Sequence, residues 1–110
     1  MSIQHKDLAA GRWSTMPLIE QMANIGSEVE RALNWKAKGN ADYSNRAFER
    51  ALELIDLSLG SFKDFARLKE FARLREALVD YFFGNNEFSS TVTIWKKDFS
   101  SFTYAVRKNY

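Results

Sequence analysis

The stretch FSSTVTIWKKDFSSFTYAV, residues 88–106, decides between two folds. Thr91, Val92, Thr93 and Ile94 are β-branched and would also suit a strand. Yet Phe88, Val92, Trp95, Phe99, Phe102 and Val106 recur at steps of four, three, four, three and four, which is the spacing of one face of a helix. The period persists for about five turns. It outweighs the local propensity, and the chain reads as all-α.

Working back toward the N-terminus, three more segments show the same spacing, punctuated by Gly84, Gly60 and Gly39. Between Gly60 and Gly84 the apolar face is Phe65, Leu68, Phe71 or Ala72, Leu78 and Phe82, with Leu74 and Tyr81 broadening it and Arg75 falling in line. Ser61 is the expected cap, with Asp64 three residues on. A local repeat, Phe65-Ala66-Arg67-Leu68-Lys69-Glu70 then Phe71-Ala72-Arg73-Leu74-Arg75-Glu76, is offset by six residues, or roughly 120° around a helix. The copies cannot share a face, so this helix is expected to have two sets of neighbours.

Before Gly60, Ala47, Phe48, Ala51, Leu52, Ile55 and Leu59 make a stripe that Asn40 or Asp42 would cap. Before Gly39, Leu18, Met22, Ile25, Val29 and Ala32 or Leu33 make another. Its cap is expected at Ser14 or Thr15, with Pro17 in the first turn, where a missing N–H costs nothing. Lys36 and Lys38 suit the negative end of its dipole. Gly26 sits in mid-helix at a cost of about 1 kcal/mol relative to Ala, so a close helix contact is expected there. Four helices of about 20 residues joined by short turns imply an up-down-up-down four-helix bundle. Residues 1–13 are expected to be a flexible N-terminal segment and 14–110 the single bundle domain.

The chain has 110 residues, 45% hydrophobic and 27% charged, the profile of one globular domain. It contains no Cys and one His, His5. Disulfides, thiolate chemistry and a His-pair metal site within one chain are thereby excluded. No metal or cofactor is expected. The net charge of +2 gives no basic stripe of the kind nucleic-acid binders show. No apolar run is long enough to span a membrane, the N-terminus lacks a signal peptide's apolar core, and a cytoplasmic protein is the default expectation. Aromatic residues reach 15%, more than a small core needs. Some are expected to line a homodimer interface, where aromatics are enriched.

Glu20 to Val29, the run Asn34-Trp35-Lys36-Ala37-Lys38-Gly39-Asn40, Arg50 to Leu57, and Leu74-Arg75-Glu76 with Asp80-Tyr81-Phe82 together resemble a family of short uncharacterised bacterial and archaeal proteins. The resemblance covers the middle of the chain and implies a small all-α protein with no activity to carry over. At fold level the chain also looks like helical proteins that accompany nucleotidyltransferases or act as ribonucleases in toxin–antitoxin pairs. Those ribonucleases place a His a few residues after an Arg on a late helix. Here Arg107 is followed by Lys108-Asn109-Tyr110, so the likeness implies a binding role rather than that activity.

Few constellations point to chemistry. Glu49, Glu53 and Asp56 share a helix face, but no Glu-x-x-His pair accompanies them as a di-iron bundle needs. The Ser and Thr residues lack a neighbouring base, and no glycine-rich phosphate loop is present. The up-down topology would gather Trp35, Lys36, Lys38, Asn40 and Arg46 with Phe83, Asn85 and Asn86 at one end, a group able to bind an anion or an unstacked base. Arg67, Lys69, Arg73 and Arg75 form a second basic group. Arg75, in line with apolar positions, is expected with Glu28 and Glu53 as a buried polar group, its charge paired across helices, for instance with one of those carboxylates, or reaching the surface. The expected function is that of a non-enzymatic interaction protein, a homodimer or the partner of another protein. The alternative is an RNA- or nucleotide-associated bundle.

Overall fold

A computed structural model describes residues 11–87, 90–91, 93–95, 97 and 99. It is all-α, with no strand among the described residues. A short 3-10 turn, Trp13–Thr15, precedes helix α1 (Leu18–Ala37), α2 (Ala41–Ser61) and α3 (Phe65–Phe83). Among the described residues, no helix is long and apolar enough to cross a membrane.

α1 begins after Pro17, whose carbonyl accepts from the Gln21 amide at 3.0 Å. The expected Ser14 and Thr15 caps are not used. Their hydroxyls donate back to the Gly11 and Arg12 carbonyls, both at 2.8 Å, and close the 3-10 turn instead. At the other end Gly39 takes φ +79°, the left-handed conformation that glycine adopts without steric cost. The Asn40 amide then donates to the Trp35 carbonyl at 2.9 Å. Asn40 also caps α2, accepting from the Tyr43 amide at 3.1 Å. Asp64 caps α3, accepting from the Ala66 amide at 2.9 Å, whereas Ser61 belongs to the last turn of α2.

α1 and α2 pack antiparallel along their whole lengths. The Ser44 hydroxyl donates to the Ala32 carbonyl at 2.8 Å, Arg50 meets Glu28 at 3.1 Å, and Ser58 meets Gln21 at 2.8 Å. The two sequences run in opposite order through these contacts. Ala32, Ala47 and Ala51 are fully buried at the seam; small side chains there let the backbones approach, while Ile25, Val29, Leu33, Phe48, Leu54 and Ile55 fill the flanks.

α3 returns along α2, through Phe62 against Phe71 (4.7 Å between ring centroids), Arg75 to Asp56 (2.8 Å) and Phe82 stacked on Phe48 (4.4 Å). Only Phe71 and Leu78 of α3 are buried. Phe65, expected on the inner face, is 76% exposed. It lies roughly 120° from Phe71, and the Phe71–Leu78 side takes the core.

Thr93, Ile94, Trp95, Lys97 and Phe99 are helical, so period prevails over β-propensity where the two compete. Part of the reason is capping. The Thr91 hydroxyl accepts from the Ile94 amide at 3.2 Å and its carbonyl from the Trp95 amide at 3.0 Å, so one β-branched residue starts the helix. Trp95 and Phe99 are buried, as their place on the stripe requires. Phe88, Val92, Phe102 and Val106 lie outside the described residues.

The boundary expected after residue 13 falls inside the fold. Trp13 is 1% exposed and belongs to the core cluster; Met1 to Ala10 lie outside the described residues.

Gly26 is buried, and a Cβ there would meet Phe99 Cβ at 2.7 Å and Cδ1 at 2.8 Å, the close contact its mid-helix position implied. Gly26→Ala gains about 1 kcal/mol of helix propensity but overpacks this contact at a cost of about 1–3 kcal/mol. The expected outcome is a lower midpoint in thermal unfolding, and a smaller or reversed effect of the same substitution in a Phe99→Ala background.

Candidate functional site

The turn between α1 and α2 lies beside the C-terminal end of α3, and the expected cluster forms there in part. Trp35 and Tyr43 face each other edge-on across the turn, with ring centroids 4.8 Å apart. Lys38 places its ammonium 5.1 Å from the centre of the Trp35 ring, and Arg46 its guanidinium 5.7 Å from Tyr43. Lys36 reaches across to α3, 4.7 Å from the Tyr81 ring and 5.3 Å from Phe82. Each cation lies over the negative face of a ring, an attraction of about 0.5–1 kcal/mol at exposed sites. Phe82 and Phe83 both lie against Phe48, and Tyr81 faces Trp95 at 6.2 Å. This end is therefore a cation–aromatic cap joining three helices to the residues around Trp95.

Of the three asparagines expected in the cluster, two are bonded to backbone. Asn40 is used as the α2 cap. Asn86 adopts φ +54° and binds the backbone of Ser90, its Nδ2 donating to the Ser90 carbonyl and its Oδ1 accepting from the Ser90 amide, both at 2.9 Å. Asn85 is exposed. Two of the three amides that would have read a base edge are thus turned to backbone, and the cations and rings remain.

The expected buried charges sort differently. Arg75 is not buried: its side chain is 40% exposed and pairs with Asp56 on α2. Asp56 stands opposite Arg75 in the antiparallel register. Glu28 instead faces α2 from α1 and holds Arg50 at 3.1 Å and Arg31 at 3.5 Å. Glu53 is buried on α2. Among the described residues, no group of His, Asp and Glu is arranged to hold a metal ion.

The opposite end carries a buried polar clasp. The Trp13 indole N–H donates to the Ser58 hydroxyl at 2.8 Å, which in turn donates to Gln21 Oε1 at 2.8 Å. The Gln21 amide nitrogen donates to the Met16 carbonyl at 2.9 Å and the Trp13 carbonyl at 3.2 Å. Trp13, Gln21 and Ser58 are 1%, 3% and 0% exposed, and the closed chain of donors and acceptors is what makes such burial tolerable. Two open clefts flank it, sharing Ser14 and Ser61. One, of about 310 Å³, is bordered by Lys63 and Arg67; the other, of about 420 Å³, by Trp13 and Asp56.

Sequence reading passed over this clasp, although two of its members left a trace. Gln21 and Ser58 fall in phase with the apolar stripes of their helices, as Ser44 does, and a polar residue at a core position signals a buried hydrogen bond. Trp13 left none, because it precedes the first periodic residue.

The chain matches no family model, no curated protein and no solved structure.

Ser58→Ala leaves both the Trp13 N–H and Gln21 Oε1 without their partner at a buried position. The expected loss is about 2–4 kcal/mol in urea unfolding. Adding Trp13→Phe to Ser58→Ala should cost less than the sum of the two single effects, because the partners act as one network.

Proposed function

We propose that this chain is a non-enzymatic helical interaction protein, built as an up-down-up-down four-helix bundle and acting through homo-oligomerisation or protein–protein interaction in a cytoplasmic setting. The observation that carries the reading is the division of α3. Phe71, Leu74, Leu78 and Phe82 turn to the core, while Phe65 stands 76% exposed. A helix with two apolar faces and one covered face is what an association surface leaves in the single chain. The antiparallel order of α1, α2 and α3, together with Trp95 beside Tyr81 and Phe99 on Gly26, supports the bundle. The interior hydroxyls of Ser44 and Ser58 are bonded to α1, which fits a scaffold better than a catalyst.

The second reading is an RNA- or nucleotide-associated bundle. It is supported by the convergence of Lys36, Lys38 and Arg46 with Trp35 and Tyr43, since aromatic faces and cations together suit unstacked bases and phosphates.

Sedimentation at micromolar protein separates the two. Association through apolar surface is expected as a dimer that persists or tightens from physiological to molar salt. A monomer under both conditions overturns homo-oligomerisation and restricts the leading reading to a different protein as partner. RNA binding by the Trp35 end would weaken steeply with salt and fall on charge reversal at Lys36 and Lys38; an affinity unmoved by that reversal overturns the second.

A further inference from the structure

The two most exposed large apolar side chains of the described residues both belong to α3, one at each end: Phe65 at 76% and Phe83 at 58%. They are eighteen positions apart, about five whole turns, and so share one meridian of the helix. Leu68, which is half-buried but outside the core cluster, exposed Ala72 and half-buried Val79 continue the stripe between them. Phe83 is held edge-on to Phe48 at 5.1 Å and keeps its outer side exposed. Beside the stripe stand exposed Lys69 and Glu76, about two turns apart.

This pattern is complementary to itself under a two-fold axis, and only in one sense. With two α3 helices antiparallel, Phe65 of each copy meets Phe83 of the other, and Lys69 of each meets Glu76 of the other. The midpoint of the Phe pair and that of the charged pair differ by only about 2 Å along the helix, within side-chain reach. A parallel pairing sets Lys69 against Lys69 and Glu76 against Glu76. Ala72 falls near the axis, where a small side chain allows close approach. An isologous contact of this kind closes on itself as a dimer. We infer that the outer face of α3 binds a second copy of this chain, antiparallel, through Phe65–Phe83 contacts and reciprocal Lys69–Glu76 ion pairs. The inference rests on the reading of the chain as an interaction protein and gives that reading its partner and register.

The test is sedimentation of the full chain and its variants, with circular dichroism as the check on folding. Phe65→Asp is expected to raise the dimer dissociation constant at least about tenfold while keeping the helix content. Phe65 stands outside the core cluster, and an acidic side chain in the first turn suits the helix dipole. Lys69→Glu should weaken the dimer several-fold, and Lys69→Glu with Glu76→Lys should restore it. The chain has no cysteine, so orientation can be read from Lys69→Cys and Glu76→Cys variants mixed and oxidised. Mixed disulfides are expected, and like-with-like disulfides overturn the antiparallel register. A dimer that survives Phe65→Asp overturns this face alone and leaves self-association standing. A wild-type chain that stays monomeric overturns both.

Discussion

The close approach of α1 and α2 is the constraint on which the rest depends. Alanine at positions 32, 47 and 51 removes side-chain bulk from the seam, and Ser44 fastens the two backbones by donating to the Ala32 carbonyl. Each helix then spends most of its apolar stripe on the other. Burial at about 25 cal/mol per Å² makes this pair the main source of stability, and the Gln21–Ser58 bond fixes its register where apolar packing alone would tolerate a slip. Trp13 extends the same logic to the segment before α1: its ring fills the end of the seam, and its N–H completes the hydrogen bonding of a serine that would otherwise be a cost.

The place of α3 is set by the surface that this pair leaves over. α3 finds the remaining side of α2, so only a narrow line of it is buried, through Phe71 and Leu78. The hexapeptide repeat marked the division but not its outcome, since Phe65 was expected on the inner face. Two copies of Phe-Ala-Arg-Leu set six residues apart cannot both face one neighbour, and the structure gives Phe71 to the core and Phe65 to the surface. An ion pair, Arg75 with Asp56, closes the exposed side of the α2–α3 contact. With both side chains about half exposed, it adds little to stability.

The periodic part of the fold was legible because burial imposes a spacing. The spans of α1, α2 and α3, the Gly39 turn, the Asn40 cap and the close contact at Gly26 all derive from residue type and period. The outcome at Thr93 and Ile94 was legible from the persistence of the period, whereas the Thr91 cap that favours it emerges only in the structure. What escaped was non-periodic. Trp13 precedes any repeat, so nothing in its spacing marks it as core. Partner choice for Arg75 escaped because phase around a helix says which side a charge occupies and not which carboxylate stands opposite. The hold of Asn86 on the Ser90 backbone escaped for a related reason: the composition of a turn names its residues but not whether their amides face solvent or the backbone.

The cation–aromatic end shows how one set of residues can look like a site and act as a joint. Lys36 stands over rings of α3, while Lys38 and Arg46 stand over Trp35 and Tyr43 beside the α1–α2 turn. At about 0.5–1 kcal/mol each, these contacts are weak enough for a phosphate to compete with and strong enough, together, to orient a turn. The exposed stripe on α3 differs in kind. Phe65 keeps 76% of its surface in water, and apolar surface left in water is a standing free-energy cost that association removes. An arrangement already satisfied within the chain needs no partner to explain it, whereas the exposed stripe is the surface that the proposed association would cover. That asymmetry places the weight of the functional argument on α3.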